Sequence, residues 1–310
     1  MKKILITPRS LTRDGDPALS ILQEKGYELV LCTPGVQPSE EELLSLVPGC
    51  SGYLAGVEKV SEKVLEVAGD LQVISRNGTG VDSIDLTAAE RLGIRIERAQ
   101  GANARGVAEL AVGLMFSLIR SIPFSDAVLK SGGWKRRKGI EIEGKTIGLI
   151  GCGKIGKQTA AMALGLGMNV VAYDAYPDSE FQPSDNFRFT DLDQVFARGD
   201  IISLHCPPLE SGAFLINSAS IEKMKKGIYI INTARAALID EEAVLTGLKE
   251  GKIAGFASDV FAEEPPQPSP LYSHEQVITT PHIGGYTAES VSRATLEAVN
   301  NLLKVLEKGE

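Results

Sequence analysis

The sequence has little of what marks secreted, metal-binding or nucleic-acid-binding proteins. Only four of its 310 residues are cysteines, and none forms a Cys-x-x-Cys pair or has the spacing of metal ligands. This pattern favours free thiols in a reducing compartment and argues against a disulfide framework or a metal site. The formal net charge of −8 lacks the excess of cations that nucleic acids and anionic membranes attract, so neither is expected as a partner. The cysteines are Cys32, Cys50, Cys152 and Cys206.

Long apolar runs are also missing. The run at residues 4–6 is soon broken by Pro8 and Arg9, so no apolar core of a secretory signal peptide follows. The apolar stretch at residues 110–119 is far too short to span a bilayer. We therefore expect a cytoplasmic protein without a membrane partner, and a chain that carries no appended regulatory domain after its last helix.

Short runs rich in Val and Ile alternate with helix-like segments along the chain. This alternation predicts βα units and parallel sheets in an α/β fold. A longer helical pattern at residues 102–123, which Pro123 is expected to end, could connect two domains. A last amphipathic helix is predicted from Thr287 to about Glu307, and the pattern leaves open which domain it joins. The strand-like segments are KILIT, ELVLC, GYLAG, LQVIS, GIRIE, KTIGLIG, NVVAYD, GDIISLH, KGIYIINT, KIAGFASDV and QVITT.

A glycine-rich turn lies between the predicted strand TIGLI and the helix-like segment that follows it. The turn has the pattern G-x-G-x-x-G, with Gly151 for the tight turn, Gly153 for close approach of a pyrophosphate and Gly156 for helix packing. The helix N-terminus offers N–H groups and partial positive charge to phosphates. Asp174 ends the next strand, eighteen residues after Gly156, where an acid accepts hydrogen bonds from a ribose and repels a 2′-phosphate. The combination predicts NAD as the cofactor.

Polar side chains with catalytic chemistry follow three later strands. Arg235 follows IYIINT, Asp259 and Glu264 follow the strand of FASDV, and His282 follows VITT. Singly, each is better explained as a surface ion pair or a turn residue. Because open α/β sheets bind ligands beyond the carboxyl ends of their strands, the group together predicts a site for carbonyl and hydroxyl chemistry beside the cofactor.

These segments, in this order, resemble the D-isomer-specific 2-hydroxyacid dehydrogenases, and among them the phosphoglycerate dehydrogenase-like branch. The resemblance covers nearly the whole chain through RNGTGVDSIDL, GKTIGLIGCGKIG, INTARAALIDEEAV, ASDVFAEEPP and PHIGGYT. It implies a catalytic trio of Arg235, Glu264 and His282. Arg235 would hold the substrate carboxylate and polarise the 2-keto oxygen, and His282 would move the hydroxyl proton while Glu264 binds its other ring nitrogen.

The resemblance also implies further site residues and a domain plan. The N–H groups of the loop at Asn77 and Gly78 would bind the substrate carboxylate. A flavodoxin-like substrate domain would comprise residues 1–99 and 286–310, with a Rossmann NAD-binding domain at residues 100–285 and a homodimer formed through the long helix. The expected cofactor contacts are Gly151, Gly153, Lys154, Ile155, Gly156, Asp174, Cys206, Pro207, Thr233, Ala234, Asp259 and Gly284.

The sequence departs from the phosphoglycerate branch in one informative loop. Where that branch carries an Arg-Ser pair before Thr-Lys-Val, this chain reads YLAGVEKV, and Ala55 or a small neighbour takes the arginine position. The loss puts 3-phosphoglycerate in doubt as the substrate. Arg9, directly after the first strand, is a candidate to meet a second anionic group in its place. The motif N-T-A-R-G also reads NTARA, with Ala236 in place of glycine, which is expected to be tolerated.

Two functions fit these residues. The first is an NAD-dependent enzyme that interconverts a small, optionally doubly anionic, D-2-hydroxy acid and its 2-oxo acid. The second is an NAD-sensing binding protein of the corepressor type, whose relatives carry the same trio. The lack of a low-complexity tail favours the enzyme, and consumption of NADH with any 2-oxo acid distinguishes the two.

Overall fold

The computed structural model describes residues 2–307, which fold as two compact units. The first unit contains the chain up to Asn103 and again from Gly285 onward, and the second contains Ala104–Gly284. The strands are β1 Lys3–Ile6, β2 Glu28–Leu31, β3 Cys50–Ala55, β4 Val73–Arg76, β5 Arg95–Arg98, β6 Thr146–Ile150, β7 Asn169–Tyr173, β8 Phe187–Phe189, β9 Ile201–Leu204, β10 Ile228–Asn232, β11 Ile253–Ser258 and β12 Val277–Thr279. The helices are α1 Arg9–Asp14, α2 Pro17–Glu24, α3 Glu40–Leu46, α4 Glu62–Glu66, α5 Leu86–Arg91, α6 Ala104–Ile119, α7 Ile122–Lys130, α8 Lys154–Gly165, α9 Leu192–Arg198, α10 Ser218–Lys223, α11 Glu241–Lys249 and α12 Ala288–Leu306.

The first unit is a five-stranded parallel sheet with the order β2-β1-β3-β4-β5. This is the flavodoxin-like order. Thr287 caps α12 by accepting a hydrogen bond from the Ser290 N–H. The apolar stripe of α12, including Leu302 and Leu306, packs in one core with Ile4 and Leu54 of the sheet. The last helix therefore belongs to the first unit, a point that the hydrophobic pattern alone left open.

The second unit is a seven-stranded parallel sheet with the order β12-β11-β10-β9-β6-β7-β8. The order reverses between β6 and β9, which is the dinucleotide-binding arrangement. Two apolar cores, one on each face, bury the sheet. The predicted class, two doubly wound parallel-sheet domains, is confirmed.

The boundaries expected from the sequence follow residue 99 and residue 285. The observed boundaries follow Asn103 and Gly284. Residues just beyond β5 stay with the first unit because Ala99 and Ala102 pack against Ala294 of α12. The guanidinium of the α12 residue Arg293 also donates to the Ala102 carbonyl at 3.0 Å.

Some elements differ from the sequence-based expectation. The short edge strand β8 and the helix α1 are not among the segments that the sequence indicates. The long helix ends earlier than expected, at Ile119, which is four residues before Pro123, and Pro123 itself lies in the first turn of α7. Ser121 makes the break with a left-handed φ of 49°, and proline in a first helical turn loses no helical hydrogen bond.

Within residues 2–307, no helix is both long and apolar enough to cross a membrane by itself. One pair, α6 and α7, reaches the length and composition only when the two are joined, and it is bent by 60°.

Candidate functional site

The polar residues predicted after the strands of the second unit form one row along the carboxyl edge of its sheet. The register pairs Ile150 with Tyr173 and Leu204, and Ser258 with Asn232 and Thr279. Because β9 and β10 pair Leu204 with Asn232, the next residue of each strand falls in the same row. This row is Asp174, Gly151, His205, Thr233, Asp259 and Thr280. Parallel pairing thus brings together groups that are far apart in sequence.

The three glycines of the loop after β6 have different surroundings. Gly151 has a φ of 92°, and a Cβ there would lie 2.5 Å from the His205 carbonyl. At Gly156 a Cβ would lie 2.2 Å from the Gly151 oxygen, so α8 packs against the turn only without a side chain. A Cβ on Gly153 would meet nothing within 4 Å. The open space at Gly153, before the first turn of α8 with Lys154 and Ile155, fits the pyrophosphate of a dinucleotide.

Asp174 is tied to the glycine loop by its carboxylate. Its Oδ2 accepts from the Cys152 N–H at 2.6 Å, and its Oδ1 accepts from the Tyr176 N–H at 2.9 Å. The acid therefore lies beside the turn, where the sequence predicted a contact with the adenosine ribose. That contact stays a prediction.

The change Asp174→Ala tests it. We expect the ratio of kcat/KM for NAD over NADP to fall about tenfold or more, because the ribose loses a charged acceptor and a 2′-phosphate loses a repelling charge. Initial rates with both cofactors measure the ratio. The control is Asp191→Ala, since Asp191 caps α9 elsewhere in the unit. An unchanged ratio would mean that Asp174 only braces the loop.

His282 and Glu264 form a hydrogen-bonded pair. The imidazole Nδ1 lies 2.8 Å from Oε1 and 2.8 Å from Oε2 of Glu264. Both side chains are partly exposed, so the remaining ring nitrogen is available for a ligand. His282 has a left-handed φ of 52°, which is unusual for a residue other than glycine. Such backbone conformations cluster at functional sites.

The three histidines of the chain differ in the groups that surround their rings. Burial lowers the pKa of His205 to about 4, and its Nε2 lies 3.0 Å from the Ser203 hydroxyl. The His274 Nδ1 accepts from the Gln276 N–H at 3.3 Å. Among residues 2–307, His282 is the histidine whose ring nitrogen lies beside a carboxylate. The structure thus singles out the histidine that the sequence motif indicated.

Asp259 holds the segment that carries His282. The Asp259 carboxylate is buried and accepts from the Thr280 hydroxyl at 2.6 Å, the Ile283 N–H at 2.8 Å and the Gly284 N–H at 2.8 Å. A Cβ on Gly284 would already lie 3.0 Å from Oδ2. The sequence predicts Asp259 and Gly284 as cofactor contacts, which stays a prediction, and in the structure the two also contact each other. Sequence reasoning missed this role, because nothing in the motifs links Asp259 to a segment more than twenty residues away.

Arg235 lies three residues beyond β10, and His282 lies three residues beyond β12, on either side of β11. The Arg235 Nη1 donates to the Ala234 carbonyl at 2.8 Å, and the Asn232 amide donates to the Arg235 carbonyl at 2.8 Å. These contacts fix the main chain around the guanidinium. The second unit therefore places all three members of the predicted trio at one edge of its sheet.

Other predicted cofactor residues lie along the same edge. Cys206 and Pro207 follow His205 beyond β9, and Thr233 and Ala234 follow β10. The Thr233 hydroxyl and the His205 Nδ1 are buried without a hydrogen-bond partner among residues 2–307. Buried polar atoms are normally paired, so these two fit a bound polar ligand.

In the first unit, the main-chain N–H groups predicted to bind the substrate already have hydrogen-bond partners. The Asn77 N–H donates to the Ala55 carbonyl at 2.8 Å, and the Gly78 N–H donates to the Arg76 carbonyl at 2.8 Å. Both N–H groups predicted to hold a carboxylate are therefore engaged by the main chain. Arg9 is exposed at the start of α1. The roles of Asn77, Gly78 and Arg9 stay predictions.

The change Glu264→Gln tests the pairing with His282. Glutamine keeps an acceptor for the ring N–H but lacks the charge that stabilises the imidazolium. Reduction of a 2-oxo acid needs a proton from the ring, so we expect a lower kcat with a nearly unchanged affinity for NADH. The neighbouring acid, in Glu263→Gln, serves as the control. If kcat stays at the wild-type value, the pairing has no part in proton transfer.

The sequence of this chain is similar to those of known proteins. The family model described as "D-isomer specific 2-hydroxyacid dehydrogenase, NAD binding domain" matches residues 112–284. The chain is 40% identical over 274 residues to a hydroxypyruvate reductase from Thermotoga maritima, covering 86% of this chain and 88% of that protein. It is 39% identical over 297 residues to D-3-phosphoglycerate dehydrogenase from Rattus norvegicus, covering 94% of this chain and 54% of the relative. The chain thus spans about half the length of that relative.

A solved structure of a dehydrogenase has a similar fold. The structure of a D-lactate dehydrogenase from Escherichia coli has a TM-score of 0.83 and 30% sequence identity, covering 100% of this chain and 98% of that one.

Proposed function

Because the chain belongs to the D-isomer-specific 2-hydroxyacid dehydrogenase family, we propose that it is an NAD-dependent oxidoreductase. It would interconvert a small D-2-hydroxy acid and the corresponding 2-oxo acid. The observation that supports this best is the His282–Glu264 pair, which lies at the same sheet edge as Arg235 and the glycine loop. An acid/base group, a guanidinium and a dinucleotide loop are the parts that this reaction requires.

The proposed work of the chain's own residues follows from their chemistry. NAD, when bound, supplies the hydride chemistry, and the loop Gly151–Gly156 with the N-terminus of α8 would hold its phosphates. The Arg235 guanidinium would bind the substrate carboxylate and polarise the 2-keto oxygen. His282 would donate a proton from the ring nitrogen opposite Glu264 during reduction and accept it during oxidation, while Glu264 fixes the tautomer and supports the imidazolium.

A panel of 2-oxo acids with NADH tests the proposal. Glyoxylate, pyruvate, hydroxypyruvate and phosphohydroxypyruvate are mixed in turn with the full chain, and loss of NADH absorbance is followed. We expect turnover with at least one of them. NADH binding without turnover on any member would instead favour the NAD-sensing binding protein.

We also propose that two copies of the chain form a homodimer. The helix α7 buries none of its residues, and Leu129 on it is 61% exposed. Trp134, just beyond it, is 82% exposed. Large apolar side chains left exposed on one segment favour an interface with another molecule when they form a continuous patch. Sedimentation velocity on the double variant Leu129→Glu, Trp134→Glu should show a monomer, whereas Tyr176→Glu, at another highly exposed aromatic position, should leave the dimer intact.

A reducing, cytoplasmic location is proposed from the cysteines. All four are free thiols, and burial raises the pKa of Cys152 to about 12.

A further inference from the structure

The loop that follows β3 in the first unit contains a buried acid outside the catalytic trio. Glu58 is only 2% exposed. Its Oε1 accepts from the Tyr53 hydroxyl at 2.7 Å and from the Gly56 N–H at 2.9 Å, and the Thr7 hydroxyl also donates to it. An acid in a short loop is ordinarily solvated, so this burial is a built feature of the fold.

The Glu58 carboxylate lies directly against the backbone of the loop. A Cβ on Gly56 would be 2.6 Å from Glu58 Oε2 and 3.2 Å from the Pro8 Cα. Only glycine fits between the acid and the segment that leaves β1. The carboxylate therefore lies at the carboxyl ends of β1 and β3, the edge where open α/β sheets bind their ligands.

The three donors to the Glu58 carboxylate are two hydroxyls and one main-chain N–H, and none of these donors is a cation. The carboxylate affects the pKa values of two neighbouring side chains. The pKa of Tyr53 is raised well above its usual value by burial and by Glu58, so Tyr53 remains a donor. The pKa of Cys32 is raised to about 11 by burial, with Glu42 and Glu58 adding to the effect.

The loop is therefore unsuited to an anion. Its Gly56 N–H, a donor that could bind a phosphate or a carboxylate, is already used by Glu58. A second anionic group of a substrate would be repelled by the carboxylate of Glu58. The repulsion is strong because little water screens a charge in this partly buried loop.

We propose that Glu58 is a specificity-determining residue that makes the loop Gly56–Glu58 reject substrates with an anionic tail. The substrate is then a 2-oxo acid whose only charge is its carboxylate and whose tail is small or hydroxylated. This inference rests on the proposed function. It is opposed to the sequence-based hypothesis that Arg9 holds a second anionic group, so a single set of substrates separates the two.

The experiment compares hydroxypyruvate with phosphohydroxypyruvate, which differ by the phosphate. The variant Glu58→Gln keeps an acceptor oxygen for Tyr53 and Gly56, and the Thr7 hydroxyl can turn to the Leu54 carbonyl, 3.3 Å away. We expect wild type to prefer hydroxypyruvate. Glu58→Gln should raise the kcat/KM ratio of phosphohydroxypyruvate to hydroxypyruvate about tenfold or more, because one unit charge near the tail is removed. Glu58→Asp keeps the charge and should keep the preference.

The control is Glu66→Gln, which removes an exposed carboxylate of α4 and should leave the ratio unchanged. An unchanged ratio in Glu58→Gln, or a wild type that prefers the phosphorylated substrate and loses that preference in Arg9→Ala, overturns the proposal. If Glu58→Gln does not fold, Val57→Arg replaces it, since Val57 is 49% exposed on the same loop. The same rise is expected there, and its absence is equally decisive.

Failure of the proposed function gives a different result. If wild type reduces no 2-oxo acid, binding of inorganic phosphate to the NADH-loaded chain is measured by calorimetry. Tighter phosphate binding by about tenfold in Glu58→Gln supports the role of Glu58, and equal binding contradicts it.

Discussion

Replacing His282 with asparagine is expected to lower kcat by roughly 10²- to 10⁴-fold, the range for loss of a positioned acid/base group. Asparagine is the suitable replacement because it tolerates the left-handed φ of 52° better than other side chains with a Cβ. Its amide can still donate to Glu264. The loss then reports the missing proton transfer and not a collapsed backbone.

The affinity for NADH separates this effect from damage to the fold. The loop Gly151–Gly156 does not depend on the imidazole, so fluorescence titration of NADH should give nearly the wild-type dissociation constant. His274→Asn is the matched control, because the His274 ring accepts from the main-chain N–H of Gln276 in its own turn. Wild-type turnover in His282→Asn would remove the imidazole from the reaction.

Replacing Asp259 with asparagine is expected to have the next largest effect. The side-chain oxygen of asparagine can still accept from Thr280 and Ile283. Its NH2 group would then face the Gly284 N–H at 2.8 Å, where two donors meet. A buried donor left unpaired costs about 1–3 kcal/mol of stability. Displacement of the His282 segment by about 1 Å would lower kcat on the order of 10²-fold.

Two measurements distinguish this positioning role from a direct contact with substrate. Thermal unfolding should occur at a lower Tm in Asp259→Asn, and kcat should fall more than KM rises, because the substrate still meets Arg235. Asp240→Asn, which alters a helix cap in the same unit, should leave kcat unchanged. A variant with normal Tm and a raised KM alone would show that Asp259 binds the substrate and does not position His282.

The parts of the fold that were predicted are those decided by local sequence. Apolar runs such as residues 147–150 are buried on both faces, so their strands could be recognised without knowledge of their neighbours. The glycine loop was predictable because its turn and helix packing are steric requirements of three adjacent positions. The shared edge of Arg235, Asp259 and His282 could be expected because parallel strands end at one edge, whereas the choice of Arg235, Glu264 and His282 as a catalytic trio depends on the family resemblance and stays a prediction.

The parts that were not predicted depend on distant partners. The burial of Glu58 requires Thr7, 51 residues away in sequence. The position of the His282 segment depends on the Asp259 carboxylate, which accepts three hydrogen bonds from that segment. The three donors lie in a turn that no hydrophobic periodicity predicts. The break after α6 combines Pro123, which cannot bond to the Ile119 carbonyl four residues earlier, with the left-handed φ of Ser121, which no sequence pattern shows.

The place of α12 in the core of the first unit has a consequence for folding during synthesis. The sheet face that includes Ile4, Ile6 and Val73 shares its core with α12, which the ribosome makes after the whole second unit. The second unit is one continuous segment, Ala104–Gly284, and its sheet needs nothing made after it. Domains commonly fold as they emerge, the N-terminal one first. Here that order is reversed: the second unit can finish folding while the first unit, whose synthesis began earlier, still exposes an apolar face until α12 is made.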